Sequence, residues 1–171
     1  MVEQRIESEV NIRLTMSTYK YTLIILLALG LVQAESPKPI TETCLTCMCE
    51  ALSGCNATAV CVNGACGIFR ITWDQWVDAG RLTVPGDTAV TDSAFTNCAN
   101  DPHCGADTLQ NYMLKYGQDC NDDQREDCYD YGAIHYMGPF NCKADMPYNY
   151  ENTFKRCLRR AQREQQRQSS R

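Results

Sequence analysis

The sequence contains no hydrophobic run long enough to span a bilayer. Its one sustained apolar segment covers residues 23–32, whereas a membrane helix needs roughly 20 apolar residues. The segment ends in Val32-Gln33-Ala34, a small-residue pattern typical of signal-peptide cleavage. We therefore predict a signal peptide over residues 1–34 and a secreted, extracellular product that spans no membrane. Translation can begin at Met1 or at Met16.

Basic side chains are scarce in the body of the mature chain. Residues 35–154 hold six Lys and Arg against seventeen Asp and Glu, whereas residues 155–171 hold seven basic side chains against one acidic one. An anionic surface would repel the body, and only the basic end could attract it. A solvated helix end that frays into a disordered terminus is the simpler interpretation of that end. We expect no nucleic acid as a partner.

Cysteine, by contrast, is abundant. All twelve cysteines lie beyond the predicted signal peptide, and an even number in a secreted chain predicts a disulfide framework of up to six bridges. Their spacing does not determine which cysteines pair. A zinc site is the competing interpretation, but the scattered positions and secretion favour disulfides, so we expect neither a metal nor another cofactor. The twelve are Cys44, Cys47, Cys49, Cys55, Cys61, Cys66, Cys98, Cys104, Cys120, Cys128, Cys142 and Cys157.

Several segments have the capping residues or the spacing of helices. The first lies between Thr43, which can cap it, and Gly54, which can end it in the left-handed conformation. A second covers residues 107–116, where apolar side chains repeat at the spacing of one buried face. A last helix is marked by an apolar stripe that begins at Phe154. Residues 80–97 are expected to be irregular.

A β-hairpin is predicted between the first two helical regions. Asn63-Gly64 is suited to a two-residue type I′ turn, because both positions of that turn need positive φ. The flanking strands are predicted at residues 60–62 and 65–69. A short helix over residues 71–77 is expected to follow.

Two motifs resemble signatures of a known family. The segment from Cys44 to Cys55 reads C-L-T-C-M-C-E-A-L-S-G-C, and the segment from His135 to Cys142 reads H-Y-M-G-P-F-N-C. Both resemble the invertebrate-type (i-type) lysozymes, the family that also includes destabilases. The resemblance implies an α+β, mostly α, lysozyme-like fold that is rich in disulfides and has a short β-hairpin. The predicted organisation is a signal peptide at 1–34, a short lead at 35–43, the lysozyme/destabilase domain at 44–157 and a basic Gln/Arg-rich tail at 158–171.

The resemblance implies the family's activity, which is antibacterial hydrolysis of peptidoglycan. The residues that perform this hydrolysis in the family are, however, replaced in this sequence. In the family a glutamate acts as general acid at the position of Leu52. The second carboxylate is an aspartate on the hairpin loop, which is shortened here and has Asn63 as its nearest equivalent. Retaining glycosidases need both carboxyl groups, and loss of a general acid costs about 10²–10⁴ in rate. We therefore expect hydrolysis to be impaired or absent.

Substitutes for the missing acid are few. Glu50 is two residues from Leu52, about 200° away around a helix, and is interpreted as a surface charge. Asp74 and Asp78 follow the hairpin and are the nearest candidates, although surface aspartate is the simpler interpretation of both. Asn63 itself is explained by the turn that it forms.

Some relatives are also associated with isopeptide cleavage by a serine and a lysine. Ala65 and Thr72 occupy those two positions here, so neither the nucleophile nor its activating base is present. His135 lies at the position of a family histidine, and a structural role or a sugar contact is the expected function for it alone.

The predicted function is that of a lysozyme-like protein that binds peptidoglycan or a related glycan. Candidate sugar contacts are Trp73, Trp76, His135 and Tyr136, because aromatic faces suit sugar rings. A place in the hydrophobic core is the competing interpretation of both tryptophans. An active glycosidase with a substitute acid and a structural extracellular protein are the alternatives. Asn56-Ala57-Thr58 is a glycosylation sequon near the expected cleft.

Overall fold

A computed structural model describes residues 38–57 and 60–170 of the chain. The predicted signal peptide, residues 35–37 of the lead and Thr58 of the sequon lie outside these residues. The described part is mainly helical with one two-stranded antiparallel sheet. Its elements are α1 (Glu42–Ser53), β1 (Ala65–Cys66), β2 (Ile71–Thr72), α2 (Trp73–Asp78), α3 (Ala94–Asn100), α4 (Pro102–Tyr116), α5 (Cys128–Met137) and α6 (Tyr148–Ser169).

Helix α1 begins two residues earlier than its sequence suggested. Thr41, rather than Thr43, is the N-cap, and its hydroxyl accepts a hydrogen bond from the amide of Cys44 at 3.2 Å. Gly54 ends the helix with φ of 66°, as predicted, because glycine adopts the left-handed conformation without steric cost. Just before α1, Ile40 is held by two hydrogen bonds to the side chain of Gln110 on α4.

The predicted turn is present, but its two strands are not the main sheet. Asn63 and Gly64 have φ of 52° and 80°, and Val62 and Ala65 form an isolated antiparallel bridge across them. The sheet instead pairs β1 with β2, across a second turn that contains Gly67. A Cβ on Gly67 would lie 1.7 Å from the carbonyl oxygen of Ala99, so only glycine lets this turn approach the end of α3.

Two helical predictions need correction. Residues 94–100 form α3, although residues 94–97 were expected to be irregular, and α4 begins at Pro102 instead of residue 107. Asp101 caps α4 by accepting hydrogen bonds from the amides of His103 and Cys104. Pro102 at the first helical position is a favourable start that the apolar spacing alone did not indicate.

The described residues contain six disulfides, three of which join pairs of helices. All twelve cysteines are paired, which agrees with the predicted framework. Cys44–Cys128 ties α1 to α5, and Cys47–Cys157 ties α1 to α6. The others are Cys49–Cys55, Cys61–Cys66, Cys98–Cys104 and Cys120–Cys142. The predicted α+β, mostly α, disulfide-rich architecture with a short sheet is thus confirmed.

Helix α6 packs through Phe154 and continues well beyond the core. Phe154 is buried against α5 at Gly132, where a Cβ would lie 2.3 Å from the phenyl ring. Leu158 and Ala161 are the last partly buried side chains, and residues 162–170 are exposed. The helix extends to Ser169, so the basic tail is helical as far as that residue. None of the helices in residues 38–57 and 60–170 combines the length and apolar character needed to cross a membrane.

Candidate functional site

Leu52 lies where the end of α1 meets the turn between β1 and β2. It follows Leu45 and Cys49 on one helix face, at the i+7 and i+3 spacing, and packs partly buried against the core. The next residue, Ser53, donates a hydrogen bond to the carbonyl oxygen of Ile68 in the turn at 2.7 Å. Both elements therefore hold position 52 in place, and the leucine there has a hydrocarbon side chain with no proton to donate.

Glu50 does not substitute for the missing acid. Its carboxylate pairs with the guanidinium of Arg160 on α6, with Nη2 of Arg160 at 2.5 Å from Oε2. The hydrogen bond from Arg160 lowers the pKa of Glu50 below its usual value, against a small opposing effect of burial. Glu50 thus faces α6 and is ionised at neutral pH, whereas a general acid needs a raised pKa.

The two aspartates after the hairpin lie in different surroundings. Asp74 is exposed in the first turn of α2. Asp78, at the end of the same helix, accepts a hydrogen bond from Nζ of Lys115 at 2.6 Å, and this bond lowers the pKa of Asp78. Asp78 therefore remains charged as the ion-pair partner of Lys115. Asp74 forms no ion pair within the described residues.

Asn63 is exposed at the tip of the shortened loop. The loop is closed by the Cys61–Cys66 disulfide and by the bridge between Val62 and Ala65. With φ of 52°, Asn63 occupies the conformation that the turn requires. Its position is accounted for by the turn, and an amide cannot act as a carboxylate nucleophile or as an anionic stabiliser.

The isopeptidase positions prove to be direct neighbours. Ala65 on β1 and Thr72 on β2 are cross-strand partners, so a serine and a lysine at these two positions would lie side by side. Here Thr72 caps α2 by accepting a hydrogen bond from the amide of Gln75 at 3.3 Å. The sequence separation of the two positions gave no indication of this contact.

His135 is a buried structural residue. Its Nε2 lies 2.7 Å from the carbonyl oxygen of Phe69, and its Nδ1 lies 3.2 Å from Nε2 of Gln75. These partners assign the hydrogen to Nε2 of His135 and leave Nδ1 to accept from the amide of Gln75. Burial lowers the pKa of His135 to about 4, with a smaller opposing effect of the Phe69 carbonyl. The neutral ring thereby links α5 to α2 and to the β1–β2 turn.

The four candidate sugar contacts divide into two exposed and two buried residues. Trp73 and Tyr136 are 49% and 45% exposed. Trp76 is 1% exposed and donates from Nε1 to the carbonyl oxygen of Leu82, and His135 is 5% exposed. Trp76 and His135 therefore offer no surface to a ligand in this conformation, because packing and internal hydrogen bonds use both side chains. Trp73 packs against Trp76 and, edge to face, against Phe95.

Two concave regions lie away from these residues. One, of about 360 Å³, lies between α1, the β1–β2 turn and α4, and is lined by Thr46, Phe69 and His103 among others. The other, of about 480 Å³, lies beside Tyr116 and the exposed Phe140. Both combine segments distant in sequence, so no local pattern could have indicated them. Within the described ranges, no group of three or more His, Cys, Asp and Glu side chains is placed to hold a metal ion.

Comparison with known proteins gives one consistent result. The family model described as Destabilase matches residues 41–157. A lysozyme of Ostrea edulis is 31% identical over 122 residues, which cover 68% of this chain and 80% of that protein. Invertebrate-type lysozyme 3 of Caenorhabditis elegans is 30% identical over 118 residues, covering 67% of this chain and 84% of the relative.

The fold agrees with this kinship. A chain in the crystal structure of Aeromonas hydrophila PliI in complex with Meretrix lusoria lysozyme superimposes with a TM-score of 0.55 and 27% sequence identity. The match covers 71% of this chain and 93% of that one. Sequence, cysteine framework and architecture lead to the same conclusion: the chain belongs to the invertebrate-type lysozyme and destabilase family.

Proposed function

We propose that this protein is a secreted lysozyme-like protein that binds peptidoglycan or a related glycan and hydrolyses it poorly or not at all. The observation that carries the proposal is Leu52, which occupies the acid position at the end of α1 with an aliphatic side chain packed on the core. Six disulfides support secretion, because such frameworks form in oxidising compartments. A signal peptide at residues 1–34 would deliver the chain there.

The carboxylates considered as substitutes for the acid support the catalytic part of the proposal. Glu50 and Asp78 are both ion-paired carboxylates with lowered pKa values. Neither is set up to hold a proton at neutral pH, which the protonation of a leaving sugar oxygen requires. Asn63 supplies no negative charge for the oxocarbenium-like transition state.

Trp73 supports the binding part. It is a half-exposed indole at the start of α2, directly after the strand that carries Thr72. Its neighbours Trp76 and Phe95 hold the ring in place, so a sugar could stack on it with little loss of side-chain entropy. Tyr136, whose ring lies 4.5 Å from that of Tyr150, is the second exposed candidate.

Binding and cleavage can be measured on the same sample. N-acetylglucosamine oligomers are titrated calorimetrically into mature protein, residues 35–171, and the mixture is then assayed for new reducing ends. We expect binding without new reducing ends, and weaker binding by Trp73→Ala. Tyr148→Ala, which removes another exposed ring from the start of α6, is the matched control and should bind normally.

Other outcomes favour the alternatives. Active hydrolysis is the main one, because the relatives are named lysozymes. If reducing ends appear and the Asp74→Asn variant stops their release, the protein is an enzyme with Asp74 as its acid. Failure to bind either these oligomers or purified peptidoglycan would remove the glycan proposal and favour a structural extracellular role.

A further inference from the structure

The exposed end of α6 carries a stripe of arginines. Arg156, Arg159, Arg160, Arg163 and Arg167 fall within about 100° of the helix circumference at 100° per residue. From Arg156 to Arg167 the stripe is about 16 Å long at 1.5 Å per residue. We call these five residues the arginine stripe. A regular helix thus converts a basic segment of sequence into a linear array of guanidinium groups.

Most of this charge is available to a partner. Within the part of the chain that the structure describes, Arg160 is the one member of the stripe with an ion pair, to Glu50 on α1. That pair also fixes the root of the stripe to the domain. Glu164 is the single acidic side chain of residues 155–171, so little opposes the arginines locally. The body is strongly acidic and would repel any anion that approached elsewhere.

The other face of the same helix argues against a lipid bilayer as the partner. A helix that lies in a membrane interface needs an apolar face opposite its basic one. Leu158 and Ala161 are partly buried against the domain, and the positions that continue their face are Gln165 and Gln168. The exposed part of α6 therefore has nothing to insert among acyl chains, and its contacts must be polar.

We propose that the arginine stripe binds the polyol phosphate chains of Gram-positive cell walls. Guanidinium groups form paired, charge-assisted hydrogen bonds with phosphate oxygens, and a row of them suits a flexible chain of phosphodiesters. The inference rests on the proposed function, because a protein that binds the wall glycan meets these chains on the same surface. Two linked contacts then raise the overall affinity by effective concentration.

Adsorption to two preparations of one cell wall tests the proposal. Purified walls either retain their polyol phosphate or are stripped of it by acid extraction, and binding isotherms are measured at low and high salt. The test variant is Arg159→Gln, Arg163→Gln, Arg167→Gln. The matched control is Lys38→Gln, Arg81→Gln, Arg125→Gln, which removes the same charge from exposed sites on the body. Arginine and glutamine have similar helix propensities, and far-UV circular dichroism verifies that α6 is retained.

The expected result is a loss of affinity that depends on both the stripe and the polymer. The stripe variant should bind intact walls about tenfold more weakly or worse than the unmodified protein, with a smaller salt dependence, because fewer counterions are displaced. On stripped walls the two should bind alike, and the control should stay within about twofold on both. Equal binding of stripe variant and unmodified protein to intact walls would overturn the inference.

Further arms separate this inference from the proposed function. Binding to intact but not to stripped walls would support the stripe and remove the glycan site, whereas equal binding to both would remove the stripe and keep the glycan site. Duplex DNA of equal phosphate content that displaces the protein from intact walls more effectively than poly(glycerol phosphate) would overturn the choice of partner. Capture by anionic phospholipid vesicles in a stripe-dependent manner would overturn it as well.

Discussion

The first half and the last turn of α1 differ in the roles of their residues. The first half holds Cys44 and Cys47, which tie the helix to α5 and α6 and lie at the family spacing. The last turn holds Leu52, the position at which we propose that a catalytic acid is absent, and the short loop closed by Cys61–Cys66 follows it in the chain. This difference indicates that the fold depends on disulfides and core packing. Hydrolysis depends instead on a few side chains that the fold does not need.

The largest effect is expected for a disulfide in the first half of α1. Replacing Cys47 and Cys157 with alanine opens a link between residues 110 positions apart in sequence. The free energy of unfolding should fall by about 2–5 kcal/mol, since long loops gain the most from a cross-link. Denaturant titration measures it. Cys49→Ala, Cys55→Ala, a bridge with a separation of 6, is the control and should cost less.

The stability of the fold should also depend on pH through His135. His135 is neutral in the folded protein, with a pKa of about 4 against 6.5 for the free side chain. Because the folded pKa is lowered, the unfolded state binds the extra proton first, and stability is lost as pH falls from 6.5 towards 4. The loss should reach about 3 kcal/mol from this residue.

Denaturant titrations at pH 7 and pH 4 test this prediction on the unmodified protein and on His135→Gln. The variant should be less stable at pH 7, because glutamine does not reproduce both ring hydrogen bonds. Its stability should nevertheless decline less on acidification. An equal decline in both proteins would show that His135 does not carry the pH dependence.

Substitutions at Leu52 should lower the free energy of unfolding by less than loss of the Cys47–Cys157 disulfide, and they should not restore hydrolysis. In Leu52→Glu a carboxyl group replaces part of the core packing, so we expect a loss of about 1–3 kcal/mol in unfolding free energy. Cell-wall lysis should remain at least about 10²-fold below that of an active relative, because the second carboxylate and the loop that carries it are still missing. Leu52→Gln separates the effect of the acid from that of lost packing. Full activity in Leu52→Glu alone would show that the hairpin loop is dispensable.

The smallest effect is expected for the ion pair between α1 and α6. The Glu50–Arg160 pair is partly solvent-exposed, and water and salt screen such pairs. Glu50→Gln should therefore lower the melting temperature only slightly, with Arg160→Gln giving a similar change and the double variant no further one. A large drop in any of the three would place Glu50 among the structural residues of the fold.

Local signals predicted some elements well. Gly54 and Asn63-Gly64 were predicted correctly, because positive φ is a property of single residues and of tight turns. The family motifs predicted the fold class, and the even number of cysteines in a secreted chain predicted the disulfide framework. The partner of β1 was wrong, since strand pairing depends on the second turn at Gly67 and on its close approach to Ala99.

The candidate site was harder to predict because burial is a tertiary property. Trp73 and Trp76 are three residues apart on one helix, yet the first is half exposed and the second is enclosed by its neighbours. The sequence left a structural role and a sugar contact open for His135, and its contacts with Gln75 and Phe69 identify it as structural. The adjacency of Ala65 and Thr72 likewise follows from strand register.

Clearing of a Gram-positive cell-wall suspension tests whether this protein combines a lysozyme-like fold with an absence of hydrolytic activity. Mature protein, residues 35–171, with all cysteines oxidised is compared at equal concentration with an active i-type lysozyme, near neutral pH where His135 is neutral in both folded and unfolded chains. We expect no clearing by the unmodified protein over the time in which the active enzyme clears the suspension. Clearing by the unmodified protein at a comparable rate would contradict this expectation.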